Sequence, residues 1–214
     1  PLEGAKRGKD TSMWLAIQSV KDKEADIVIS AGNTGALLVV SKLNLKMIEN
    51  IDKPALSALW PNKKGMSVVL DLGANIECSS KNLLDFSIMG ASLYTSLYPY
   101  DKPNVALLNI GSEELKGNET IKETYQLLNE KKSDNYNFAG YIEGNHLMDG
   151  NVNVIVSDGF TGNVALKTAE GTANFITNEL KNAMTGTLIG KISSFLNISN
   201  LTKFKKRLDP RLYN

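Results

Sequence analysis

The sequence predicts an α/β protein: a three-layer α/β/α sandwich built on a mainly parallel sheet. Three observations predict it. Short continuous apolar runs at 25–29, 66–72, 105–110 and 152–156 lack the alternation of a half-exposed strand, so each reads as a strand covered on both faces. Each run enters a turn rich in Gly, Asn, Ser or Asp. Each turn leads into a segment with the 3.6-residue period of a helix. Strand, turn and helix thus recur, the rhythm of parallel strands joined by helical crossovers. Ligands in such folds sit beyond the carboxyl ends of the strands, so the four turns are expected to converge on one crevice.

Composition narrows the class. The 214 residues carry a formal net charge of +1, which gives no overall electrostatic footprint for nucleic acid. Cys78 is the single cysteine, so no intrachain disulfide can form and a reducing, cytoplasmic compartment is expected. No apolar run is long enough to cross a bilayer as a helix. The chain begins at Pro1 and stops abruptly at Tyr213-Asn214, and the expectation is a piece of a longer protein.

In chain order, Thr11 or Ser12 caps a helix running to about Lys21, with Met13, Leu15, Ile17 and Val20 apolar. The 25–29 strand then enters Ser30-Ala31-Gly32-Asn33-Thr34-Gly35, followed by a long apolar segment, 36–45. Small residues there let backbone N–H groups approach an anion, and a helix start adds partial positive charge. The plainer alternative is a turn that only packs a helix back on its strand. Pro54 closes a loop, and 55–60 reads as a strand. The 66–72 strand enters Gly73-Ala74-Asn75, and a helix at 82–98 sets Leu83, Phe86, Met89, Gly90, Leu93 and Leu97 at helical spacing. The 105–110 strand enters a turn from Gly111 to Asn118, and the next helix carries Ile121, Tyr125 and Leu128 on one face. After a short strand at 137–142, the 152–156 strand enters Ser157-Asp158-Gly159-Phe160-Thr161-Gly162-Asn163, with a helix over 164–184.

The predicted crevice collects Asn33, Thr34, Asn75, Asn109, Lys116, Asn118, Asp158 and Asn163. Amides, hydroxyls, glycine backbone and one lysine suit the binding of an oxyanion and the polarisation of a carbonyl. No side-chain nucleophile is evident. His146, the single histidine, reads as a surface residue rather than a general base, which removes a Ser-His-Asp triad. Cys78 reads as a half-buried thiol before it reads as a nucleophile. An enzyme of this kind would take its nucleophile from its substrate. Lys116 is either an exposed turn lysine or an anion ligand. Asn163 is either a helix N-cap or a catalytic amide, roles that are compatible. Asp158 holds a lysine or backbone donors, and Asp71 ends its strand with local hydrogen bonds. Gly186 to Ile192 imitates a Walker loop but is one residue short between its glycines, and Ile192 replaces the required Ser or Thr. There is no Gly-x-Gly-x-x-Gly fingerprint and no Cys/His cluster, so neither cofactor nor metal is expected.

Taken in order, these turns resemble the bacterial phosphate acyltransferases of phospholipid synthesis (PlsX type). The resemblance is carried by Asp10-Thr11-Ser12-Met13, Ser30 to Leu37, Ile51-Asp52-Lys53-Pro54-Ala55, Leu70-Asp71-Leu72-Gly73-Ala74-Asn75, Met89-Gly90, Leu107-Leu108-Asn109-Ile110-Gly111, Glu114-Leu115-Lys116-Gly117-Asn118 and Asp158 to Lys167. It implies acyl transfer from acyl-acyl carrier protein to inorganic phosphate, giving acyl phosphate for a downstream glycerol-3-phosphate acyltransferase. It implies a fold like the isocitrate and isopropylmalate dehydrogenases and phosphotransacetylase, a homodimer, and peripheral association with the inner membrane face. On this resemblance Lys116 and Asn163 are catalytic. Ser30, Gly32, Asn33, Thr34 and Gly35 bind phosphate, while Asn75, Asn109, Asn118 and Asp158 shape the site. The family's opening strand with its Asp-x-x-Gly-Gly-Asp-type turn, and its later His-Gly turn, are not in this sequence. Leu115 stands where the family often has a polar residue.

The sequence divides at a change of character: 1–184 as the acyltransferase core, and 185–214 as an amphipathic basic helical segment. In the latter, Lys203, Lys205, Lys206 and Arg207 suit anionic head groups or an acidic carrier protein, while a helical pair at a dimer interface is the plainer reading. The competing functions are a phosphate acetyl- or butyryltransferase using coenzyme A, a decarboxylating dehydrogenase relative, and a non-catalytic lipid- or carrier-binding module.

Overall fold

An apolar run becomes a strand only where neighbours cover it, and this rule separates the predicted strands that form from the one that does not. The computed structural model describes residues 8–99 and 101–208. The chain falls into two units, Pro1–Ala55 and Leu56–Asn214. These units follow packing, whereas the boundary drawn from the sequence at 184/185 follows composition.

In the first unit, α1 (Ser12–Lys21) begins where the Thr11 hydroxyl accepts the Trp14 N–H, and α2 (Thr34–Leu45) begins at Asn33. Ile17 and Val40 are its buried centre, with Met13, Trp14, Val28, Leu37 and Val39 packed around them. The strand expected at 25–29 is absent. The stretch carries no strand ladder, and of it only Val28 joins this buried centre, with Ile27 75% and Ile29 89% exposed. A continuous apolar run needs both faces covered and both edges paired to behave as a central strand. Within its own unit this one has neither. Asn44, on α2, is 5% exposed, and its Nδ2 lacks a hydrogen-bond partner among the described residues.

The second unit holds five strands: β1 (Ser57–Pro61), β2 (Met66–Leu70), β3 (Asn104–Asn109), β4 (Asn137–Glu143) and β5 (Val154–Val156). Their order across the sheet is β1-β2-β5-β3-β4. β2, β5, β3 and β4 run parallel, and β1 lies antiparallel on β2 at the edge. The mainly parallel sheet expected from the apolar runs is therefore present. β5 is three residues long because Val152 and Asn153 precede the ladder, Asn153 pairing instead with Asn104.

Alternate residues serve two faces. Val69, Ala106, Leu108, Ile142 and Ile155 point to one, where Trp60, Leu147 and Val152 join them and Ala165, Leu166 and Ala169 of α5 (Gly159–Thr185) cover them. Val68, Leu70, Val105, Leu107, Val154 and Val156, all buried, supply the other. There α3 (Ser80–Leu97) lies so close that a Cβ on Gly90 would meet Val154 Cγ1 at 2.5 Å. Of the α3 face read from spacing, Leu83, Phe86 and Gly90 are buried, but Leu93 and Leu97 are 38% and 46% exposed. The true stripe passes through Ala91 and Tyr94 instead, and the Tyr94 hydroxyl accepts the Asn153 amide at 2.9 Å. α4 (Glu119–Glu130) buries Ile121, Thr124 and Leu128. α6 (Leu188–Leu196) and α7 (Ile198–Leu208) complete the unit.

Candidate functional site

Three turns leave the carboxyl ends of parallel strands β2, β3 and β5, and each is built by a different local device. After β2, Asp71 is fully buried and its carboxylate collects backbone donors. Oδ1 accepts from Leu56, Gly73 and Ala74 N–H at 3.0, 3.1 and 2.9 Å. Oδ2 accepts from the Asn75 N–H and the Asn75 side-chain amide, each at 2.8 Å. The expectation that Asp71 ends its strand with local hydrogen bonds holds.

After β3, Asn109 closes the turn on itself, its Nδ2 donating to the carbonyls of Gly111 and Lys116, both at 3.1 Å. Gly117 has φ +96°, and a Cβ there would lie 2.6 Å from Asn109 Oδ1, so only glycine suits this close, left-handed position. The Tyr141 hydroxyl reaches the Glu114 carbonyl at 3.4 Å, and burial, reinforced by Tyr125 and Glu114, pushes that phenol above its ordinary value. Asn118 then caps α4 by accepting the Ile121 N–H at 2.9 Å.

After β5, Asp158 caps α5: its carboxylate accepts the Thr161 N–H at 2.8 Å and the Thr161 hydroxyl at 2.9 Å. Asn163 is consequently not the N-cap; it lies inside α5, which starts at Gly159 rather than at 164. A carboxylate five residues upstream satisfies the free N–H groups first, and the Gly-rich turn joins the helix.

The turns meet. Gly159 N–H donates to the Asn75 carbonyl at 2.8 Å. The Asn163 side chain lies over Gly73, where a Cβ would be 3.5 Å from its Cγ. A cleft of about 550 Å³ opens at this end of the sheet, lined by Ile76, Glu77, Cys78, Asn118, Phe160 and Thr161 among others. The first turns of α4 and α5 both face it, so two partial positive charges from helix N-termini act on the same space.

Of the residues picked from sequence, Asn118 and Asp158 line this cleft, Asn75 precedes the lining residue Ile76, Asn163 lies over Gly73, and Asn109 shapes the neighbouring loop. Lys116 does not line it. It is exposed on its turn, and although its backbone is bonded to Glu113 and Asn109, its side-chain ammonium has no hydrogen bond or ion pair among the described residues. The turn at 30–35 belongs to the other unit and follows an irregular stretch rather than a strand. There the Ser30 hydroxyl accepts the Gly32 N–H at 3.1 Å and Asn33 caps α2 by accepting the Ala36 N–H at 3.0 Å. Several polar side chains are thus spent on the scaffold, leaving the Lys116 and Asn163 side chains and the helix-start N–H groups that the caps do not take, those of Phe160, Glu119 and Thr120, to face solvent or substrate. Phe160 and Ile76, 64% and 72% exposed at the cleft, were not singled out from sequence. An apolar residue inside an otherwise small and polar turn was the available signal. Cys78 is half-buried, its Sγ 3.7 Å from the Asn75 carbonyl, as expected of a plain thiol. His146 sits on a surface turn with its Nδ1 2.7 Å from Asp149. The described residues hold no group of three or more His, Cys, Asp or Glu that could bind a metal.

The model of a family described as fatty acid synthesis protein matches residues 1–214. The chain is similar to phosphate acyltransferase of Pelagibacter ubique, with 82% identity over 214 residues, all of this chain and 64% of that protein. It is 45% identical over 215 residues to phosphate acyltransferase of Maricaulis maris, covering all of this chain and 61% of that one. The chain therefore spans less than two thirds of these relatives. Among solved structures, EutD phosphotransacetylase from Staphylococcus aureus superimposes with a TM-score of 0.59 at 15% identity, over 76% of this chain and 56% of that one. A branched-chain phosphotransacylase from Enterococcus faecalis gives 0.53 at 17% identity, over 73% and 62%. At such identity the likeness is one of fold, and it agrees with the α/β architecture expected from sequence. Matched along its whole length by one family model, the chain belongs to the fatty acid synthesis protein family.

Proposed function

We propose that the protein of which this chain is part transfers an acyl group from acyl-acyl carrier protein to inorganic phosphate. The observation that carries this reading is the cleft where α4 and α5 both begin: it offers N–H donors and helix charge to an anion, and it holds no activated side-chain nucleophile. The names of the relatives supply the acyl group and the phosphate. A phosphate oxygen attacks the thioester carbonyl carbon, the C–S bond breaks, and the proton of hydrogen phosphate passes to the departing thiolate. The products are acyl phosphate and free carrier thiol.

Lys116, exposed and unpaired, draws in the phosphate dianion and offsets the charge that grows on the carbonyl oxygen. Asn163, fixed over Gly73, donates to that oxygen or orients the phosphate. A well-placed donor of this kind contributes about 3–4 kcal/mol to the barrier. Asn75, Asn109, Asn118 and Asp158 act through the backbone they hold. In its own unit, the 30–35 turn is a second anion cradle: Ser30 and Asn33 fix it, and Gly32, Thr34 and Gly35 keep its backbone open.

The exposed apolar face of α6 and α7 favours a further role for the segment from 185 onward. Leu188, Ile189, Phe195 and Leu196 are 74% to 81% exposed, beside exposed Lys203, Lys205 and Lys206. This combination suits peripheral contact with an anionic membrane, or self-association into a homodimer. Arg207 is partly committed, its guanidinium donating to the Asn62 carbonyl at 3.3 Å. No described helix is long and apolar enough to cross a membrane. Acyl phosphate made at such a surface would pass to a glycerol-3-phosphate acyltransferase.

The test is acyl phosphate formation by the full-length protein from long-chain acyl-carrier protein and phosphate, with acyl-coenzyme A in parallel. Turnover on the carrier substrate, lowered about 100-fold or more by Lys116→Ala and by Asn163→Ala, is the expected result. Turnover confined to coenzyme A would place the enzyme with the phosphotransacetylases. Near-normal rates in both variants would remove Lys116 and Asn163 from the mechanism.

A further inference from the structure

We infer that Asp71 is a positioning residue for acyl transfer, acting through the Gly73–Asn75 turn on the start of α5 and on Asn163; the inference rests on the reaction proposed above. Burying a carboxylate is costly unless donors surround it, and Asp71 is 0% exposed with no Lys, Arg or His paired to it among the described residues. Its compensation comes from N–H groups alone: Leu56, Gly73, Ala74 and Asn75 from the backbone, and the Asn75 amide. Four of these five donors belong to the turn that follows it. Ending a strand requires one or two such bonds. A carboxylate accepting at both oxygens instead fixes the path of the whole turn, because each charge-assisted bond is shorter and stronger than a neutral one.

The turn so fixed is the surface on which α5 rests. The Asn75 N–H is held by Asp71 Oδ2 at 2.8 Å, and the Asn75 carbonyl in turn accepts the Gly159 N–H at 2.8 Å. Gly73, held by Oδ1, is the residue over which Asn163 lies. The Asp71 carbonyl takes the Ser157 hydroxyl at 3.4 Å and lies directly beneath Gly162. Asp71 therefore touches, by one intermediate residue in each case, the α5 N-terminus and the Asn163 amide, while its own carboxylate never reaches the cleft. Displacing a catalytic group by about 1 Å can cost 100-fold in rate, so a carboxylate that sets this spacing acts on turnover without meeting substrate.

The chemistry suggests a discriminating substitution. Asp71→Asn keeps the Oδ1 acceptor for Leu56, Gly73 and Ala74 but turns an NH2 group toward the two Asn75 donors. Asp71→Asn with Asn75→Asp restores an acceptor facing a donor across that pair. In the full-length protein, Asp71→Asn should lower kcat about 10- to 100-fold with KM for acyl-carrier protein changed by less than about 3-fold. The double variant should recover at least about tenfold of the loss. Amide exchange should rise in peptides covering 72–76 and 158–165 and stay unchanged over 119–130. Leu128→Ala, a core truncation on α4 away from the cleft, serves as the stability control and should lower the melting temperature without lowering kcat. The inference is overturned if Asp71→Asn melts lower yet keeps kcat, or if the double variant regains its melting temperature but not its rate. Wild-type protein without phosphate-dependent turnover overturns the reaction itself, an outcome seen before any variant is compared.

Discussion

Gly162 and Gly171 lie on the same helix, α5, and the structure predicts opposite responses to one methyl group. A Cβ on Gly171 would meet nothing within 4 Å, so Gly171→Ala changes only backbone freedom and should stabilise by about 1 kcal/mol. At Gly162 the same methyl would lie on the Asp71 carbonyl oxygen, 3.0 Å from the carbonyl carbon and 2.7 Å from Ser157 Oγ. Those neighbours cannot yield cheaply. Asp71 N–H is bonded to the Ser157 carbonyl at 3.0 Å and Ser157 N–H to the Leu70 carbonyl at 2.8 Å, so the obstacle is strand-end backbone in a buried ladder. Forcing a methyl into such a site costs about 3 kcal/mol, the upper part of the overpacking range, against the same gain of about 1 kcal/mol in helix propensity. Gly162→Ala should therefore destabilise by about 2 kcal/mol and stand about 3 kcal/mol below Gly171→Ala. For a chain of this size that gap is about 6–12 °C in melting temperature. Urea unfolding followed by circular dichroism checks the free energies, and a thermal scan checks the gap. Gly162→Ala melting at or above wild type would show that α5 does not rest on the β2 turn as described, and would undercut the positioning assigned to Asp71.

Other substitutions test separate parts of the structure. Phe86 is 0% exposed between α3 and the sheet, and Phe86→Ala should cost about 3–5 kcal/mol in the same unfolding assay. Asn44→Leu removes a buried amide whose Nδ2 has no partner among the described residues, and should raise stability by about 1–2 kcal/mol; a loss of that size would mean that the amide is satisfied in solution. Lys63 Nζ at 2.6 Å, and then His146, hold the Asp149 carboxyl below its ordinary value of 3.8. A lowered carboxyl contributes stability that is in place above the unfolded value and lost as pH falls through the folded one. The melting-temperature difference between wild type and Asp149→Asn should therefore be largest at neutral pH and shrink as the pH falls below the ordinary carboxyl value of 3.8. Reversing Lys203, Lys205 and Lys206 to Glu should weaken binding to vesicles containing anionic lipid, and unchanged binding would leave self-association as the role of the segment.

The elements were written locally, and the sequence by itself determined most of them. Apolar runs without alternation marked β2, β3 and β5, and their flanking Gly-Asn-Asp turns marked where helices begin, because capping and period are properties of a few adjacent residues. The same locality determined that Asp71 would end its strand with nearby donors. It also placed Asn75, Asn109, Asn118 and Asp158 at strand ends. Partnership is not local. The run at 25–29 reads as apolar and strand-forming as the others, yet no ladder forms there because nothing in its own unit pairs its edges. Asn163 looked like a cap because a glycine precedes it, but Asp158 satisfies the helix start first, and only packing shows that the Asn163 amide lies over Gly73. The insertion of β5 between β2 and β3 brings the turn carrying Asp158 against the one carrying Asn75. That order comes from long-range burial on two faces of one sheet, which no stretch of sequence contains. Tertiary structure alone decided which polar groups are spent holding the scaffold and which are left for an anion, since a donor or acceptor is free only once every neighbour in space has taken its bond.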